Sequence, residues 1–186
     1  MHKRNSTLPM CYSMVVGAAG LAVLGPKLAQ QLELTRSDVK QYSTFEDFYP
    51  FYLTQHADET CRHLHYIGSL IILLLAAMDK NIAIALAVAA CAGYGAMHLT
   101  ISMDHGLAEF AFTMFVYLYA RKILDGTKFR KAAQVPVIGY AFAWIGHNFY
   151  EGNRPATFIY PVYSLAGDFR MLWEWLNSFF LHNVHS

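Results

Sequence analysis

The sequence predicts an all-α membrane protein: a bundle of four short transmembrane helices in two hairpins, with an N-terminal helix before it and a C-terminal interfacial helix after it. Three observations carry this. Hydrophobic residues make up 55% of the 186-residue chain and charged residues only 15%, well away from the soluble average. The apolar residues gather in four runs, at 67–78, 82–97, 107–120 and 135–149. Short polar breaks separate them, and Asp79-Lys80-Asn81 is tight enough to be a hairpin turn.

Each run falls short of the roughly 20 residues that cross a bilayer, unless flanks such as 63–66 or 99–103 extend it. A soluble bundle of buried helices is the alternative, because runs of this length also suit a core. The net charge of +1 offers no basic face for phosphates and argues against nucleic acid as a partner. Cys11, Cys61 and Cys91 are too dispersed for a disulfide framework or a zinc knuckle.

Ahead of the four runs, Lys3 and Arg4 precede an uncharged, small-residue stretch at 8–24, and the first acidic residue is Glu33. This has the pattern of a targeting or anchoring segment. A cleaved signal, an uncleaved first membrane helix and an organelle presequence all satisfy it. The polar stretch 33–46 reads as a linker. The chain therefore divides into a targeting or anchor segment with its linker (1–44), a four-helix membrane catalytic domain (45–172), and an interfacial helix and tail (173–186). Trp173, Trp175, Phe179 and Phe180 place that last helix at headgroup level.

Four successive crossings bring the start of the first run, the end of the second, the start of the third and the end of the fourth to one side. Those positions hold His56, His63, His65, His98, His105 and His147, every histidine outside the tails. The basic loop with Arg121, Lys122, Lys128, Arg130 and Lys131 falls on the other side, which the positive-inside rule assigns to the cytoplasm. Histidines at membrane depth mark a functional site by default. Several imidazoles with a nearby carboxylate suit iron, zinc or copper. Only His63-Leu64-His65 is a close pair, so the spacing favours one metal over a paired centre.

The fourth run ends in a dense polar set. In a helix continuing through Glu151, His147 and Glu151 share a face, Gly146 admits another backbone, and Gly152 and Pro155 stop the chain. The stretch 153–168 then reads as a loop over the histidine end. Around the first block, an unbroken helix aligns His56 with His63 and turns His65 away; a break between Asp58 and Arg62 reverses that choice.

The run G-H-N-F-Y-E-G-N-R-P-A-T-F at 146–158, with Tyr160-Pro161 and the stretch S-L-A-G-D-F-R-M at 164–171, resembles the membrane family of 2-hydroxy fatty acid dioxygenases, named for metabolism of phytosphingosine to odd-numbered fatty acids. The upstream block F-Y-P-F-Y-L at 48–53, then His56 and C-R-H-L-H-Y-I-G at 61–68, agrees with it. The resemblance implies Fe(2+) held by His56, His65 and His147, with His98 preferred to His105 as a fourth ligand. It implies α-oxidation of a 2-hydroxy fatty acid with O2 to CO2 and an acid one carbon shorter, in sphingoid-base and fatty acid breakdown. Glu151 is then a residue orienting His147, and Arg62 and Arg154 are candidates to fork onto the substrate carboxylate. Asp168 reads as a cap or an Arg partner. The site would lie in the bilayer, in the endoplasmic reticulum of a eukaryote or the inner membrane of a bacterium. Two other classes fit the same residues: a non-catalytic membrane assembly or lipid-binding protein, and a haem or metal carrier using bundle histidines.

Overall fold

The computed structural model describes the backbone of residues 7–184 and the side chains of residues 9–179. Lys3, Arg4, His2 and His185, and the side chains of Phe180 and His182, lie outside that range. All regular structure among the described residues is helical. The order is α1 (Thr7–Gln31), α2 (Phe45–Thr54), α3 (Glu59–Met78), α4 (Lys80–Leu99), α5 (Leu107–Asp125), the single turn α6 (Phe129–Ala132), α7 (Gln134–Gly146) and α8 (Pro161–Val184). A π-helical turn, His147–Glu151, extends α7, and a 3-10 turn, Ala156–Phe158, precedes α8.

The first hairpin forms as the polar break requires, whereas α5 and α7, joined through α6, pack on α4 and α3 and make no comparable packing with each other. Asp79 ends α3 and caps α4, its side chain accepting from the Asn81 N–H. Arg121 of α5 donates to Asp79 and pairs with Asp125, each at 2.9 Å, so the turn between α3 and α4 is tied to the end of α5. Gly126, at φ 72°, supplies the left-handed residue that stops α5. α3 packs on α7, and α4 packs on α5.

Among the described residues, three helices are long and apolar enough to cross a membrane: Pro9–Gln31, Glu59–Met78 and Lys80–Leu99. The four expected spans are thus met only by the first two runs. α5 carries Glu109, Arg121, Lys122 and Asp125, and α7 has 13 residues; the N-terminal helix qualifies instead. Outward-facing Leu74, Phe115, Val137 and Trp144 are all more than half exposed, an apolar surface that suits lipid. α1 lies against α4, and a Cβ on Gly95 would come within 2.3 Å of the Leu21 carbonyl. Close backbone approach of this kind is how small residues pack membrane helices.

Two stretches read as loops contain more order than expected. Segment 34–44 has no helix, yet it buries Lys40, whose ammonium donates to Glu109 and to the Thr100 carbonyl. The expected loop at 153–168 becomes helix from Pro161, whose fixed φ suits a first turn. α8 buries Tyr163, Met171 and Leu172 against Phe48, Tyr49 and Tyr52 of α2.

Candidate metal centre

α2 and α3 are interrupted at residues 55–58, slightly before the expected break. The Asp58 side chain caps α3 by accepting from the Cys61 N–H at 2.9 Å. Glu151 accepts from the Asp58 backbone N–H at 2.6 Å, pinning the interruption to the end of α7. The kink turns His65 inward and His63 outward. His63 is exposed against Tyr66 and Trp175.

Two glycines seat the remaining walls. A Cβ on Gly146 would sit 2.8 Å from Cys61 Sγ, and one on Gly167 would sit 2.9 Å from the Tyr52 ring. Without those side chains α7 approaches α3 and α8 approaches α2. The next residues along, His147 and Asp168, are thereby delivered to the interior.

His56, His65 and His147 meet there. One ligand atom from each lies within 4.8 Å of the others, and the three residues are 1%, 5% and 2% exposed. Each ring is held by its Nδ1. His56 Nδ1 lies 2.7 Å from the Tyr52 carbonyl oxygen, His65 Nδ1 2.6 Å from Asp168 Oδ1, and His147 Nδ1 2.6 Å from Asn153 Oδ1. The Asn153 amide is itself oriented, because its Nδ2 donates to the Gln55 carbonyl. All three partners are acceptors, so each Nδ1 carries the proton and each Nε2 keeps a lone pair. Nε2 of His56 and of His65 is buried and has no hydrogen-bond partner among the described residues.

Stranding such atoms costs about 1–3 kcal/mol apiece, and a shared cation removes the cost. Burial, then the neighbouring His65, pushes His56 down to about 3. Burial also holds His147 below its ordinary value. These rings stay neutral and available to a metal at physiological pH. Burial raises the Asp168 carboxyl, but His65 beside it and hydrogen bonds from His65 and Tyr52 outweigh that and leave it ionised. Three imidazoles with outer acceptors on their Nδ1 atoms fit one iron, zinc or copper ion with positions left open.

The other candidate residues fall elsewhere. His98 is outside the group, its ring against Tyr94 at 4.8 Å. His105 is exposed and accepts from the Leu107 N–H. Glu151 holds Asp58 and not His147; Asn153 has the orienting place. Arg154 is exposed over the Phe158 ring at 5.2 Å, and Arg62 lines a separate cleft with Glu59 and Glu174. Asp168, read as a cap or an Arg partner, is the partner of His65. Its signal and that of Asn153 lay inside the two quoted motifs, though nothing in their spacing named a partner.

An apolar cavity opens from this centre. His65, Asp168 and Thr157 line one end, and Ile72, Leu86, Tyr117 and Val135 line the other. A helical membrane-type bundle with a buried three-histidine centre at the head of an apolar cavity is the class defined by fold and site. The family described as 2-hydroxy-palmitic acid dioxygenase Mpo1-like matches residues 42–179, and the chain belongs to it. No curated protein and no solved structure matches the chain.

Proposed function

We propose that this protein is an Fe(II)-dependent dioxygenase that shortens 2-hydroxy fatty acids by one carbon. The observation that carries the reading is the convergence of three outwardly braced imidazoles, one of which, His65, lines an apolar cavity. The family description, which names a 2-hydroxy fatty acid dioxygenase, agrees with it.

His56, His65 and His147 would hold the ion. Bound iron supplies a site that takes up O2 and the oxygens of the substrate head. The balance is closed by the substrate: RCH(OH)COOH and O2 give RCOOH, CO2 and H2O. The C1–C2 bond breaks, and all four electrons that reduce O2 come from the 2-hydroxy acid. No reduced cofactor is required, which suits a chain without a glycine-rich nucleotide loop. Asp168 keeps the His65 tautomer, Asn153 that of His147 and the Tyr52 carbonyl that of His56. The apolar walls receive the tail and keep water from the head group.

Two measurements test the reading. Purified protein should carry about one iron per chain, lost in His147→Ala. Aerobic incubation with a 2-hydroxy fatty acid should yield the acid one carbon shorter. Absence of that product from iron-loaded wild-type protein would sink the proposal, and a Soret band would replace it with a haem carrier.

A further inference from the structure

We infer that Tyr117 is the floor of the acyl cavity and sets the longest tail that the site accepts. The inference rests on the function proposed above and adds the residue that reads chain length.

The lining residues order themselves by depth. α4 and α7 end at the histidine pole and α3 and α5 begin there, so the deepest wall residue on each is Leu86, Val135, Ile72 and Tyr117 respectively. Tyr117 is by far the largest of the four and is 3% exposed. Its ring lies in the same packed layer as Ala120, Ala132 and Ile82, none of which touches the cavity. Beyond that layer stand Arg121, Asp79 and Asp125, paired with one another. An alkyl chain moving down from the histidines therefore meets Tyr117 before any polar boundary.

The Tyr117 hydroxyl is buried without a hydrogen-bond partner among the described residues. Packing alone would favour phenylalanine, since an unpaired buried hydroxyl is a penalty. A methyl terminus pressed against it keeps it stranded, so the floor resists an overlong tail through polarity as well as bulk.

Along α7 the lining runs from Ala143 to Val135, roughly 12 Å. The enclosed volume is about 120 Å³, the scale of a cavity that holds a benzene-sized group. Only a short stretch of alkyl chain fits above Tyr117.

The test is binding without turnover: iron-loaded full-length protein in nanodiscs, without O2, titrated calorimetrically with saturated 2-hydroxy acids of graded length. Tyr117→Ala should move the affinity cut-off upward by about four carbons, the length of the ring it removes. Tyr117→Phe should move it by about one carbon. Gly139→Ala should move it downward by about one carbon; a Cβ there comes no closer than 3.5 Å to Ile72, an ordinary contact. An unchanged cut-off in Tyr117→Ala and Gly139→Ala overturns the inference. So does a cut-off moved instead by Val137→Trp in the adjoining apolar groove between α5 and α7, where Val137 lines the groove and not the cavity. If wild-type protein binds no 2-hydroxy acid of any length, the proposed function fails, and that outcome is distinct from a flat length profile.

Discussion

His65 Nδ1 and Asp168 Oδ1 lie 2.6 Å apart although 103 residues separate them in the chain. Tyr52 donates its hydroxyl to the same carboxylate oxygen, so one partly exposed carboxylate from α8 fixes a side chain from α3 and another from α2. Asp168→Asn should keep the fold but let the His65 ring choose either tautomer. Metal affinity should fall about 10- to 100-fold, read by competition with a chelator of known strength. Equal affinity in the two proteins would remove Asp168 from the site.

Asn153 and Glu151 are close in sequence and should behave differently. Asn153→Ala releases His147 Nδ1 and should weaken metal binding about tenfold. Glu151→Gln keeps an acceptor for the Asp58 N–H but loses its charge at the start of α3. It should lower thermal stability by about 0.5–1 kcal/mol with metal affinity retained. Melting curves and metal titrations of both variants separate the roles.

Acid should destabilise the metal-free protein through His56. Its folded value of about 3 lies below the ordinary imidazole value of 6.5, so the unfolded chain binds the extra proton as pH falls between these limits. Stability is retained above about pH 6.5 and declines as pH drops toward 3, with a slope of up to ~1.4 kcal/mol per pH unit from this group. His56→Gln should flatten the apo protein's melting temperature across that window. An unaltered slope would show that the ring titrates normally.

Gly146 and Gly167 should resist substitution more than exposed glycines do. Gly167→Ala drives a methyl into the Tyr52 ring and Gly146→Ala drives one into Cys61 Sγ. Each should cost about 1–3 kcal/mol and weaken metal binding as well, because α8 and α7 carry Asp168 and His147. A control at Gly17, exposed on α1, where a Cβ meets nothing within 4 Å, should leave metal binding unchanged and cost no stability.

The Lys40–Glu109 pair is buried at 1% and 0% exposure. Removing either partner alone, as in Lys40→Met or Glu109→Gln, should destabilise by about 3–5 kcal/mol. The double variant should recover much of that loss, since no uncompensated charge remains. Additive losses in the cycle would mean that the two charges are not coupled.

The helical class and the turn between α3 and α4 were legible in the sequence because apolar runs and polar breaks are local patterns, set by the period of the helix and the chemistry of turns. The gathering of histidines toward one pole followed from counting crossings. Which three of the six would share a point was not a local matter. It depended on where the chain breaks between α2 and α3, a shift of a few residues that exchanges His63 for His65. The resemblance named the same three residues that meet in the structure, without supplying that reason. The partners Asp168 and Asn153, the buried Lys40, and the helix in place of a loop after Pro161 were decided by tertiary packing. A hydrogen bond across a hundred residues leaves no periodic trace, and a glycine shows its purpose only when the helix it admits is in place.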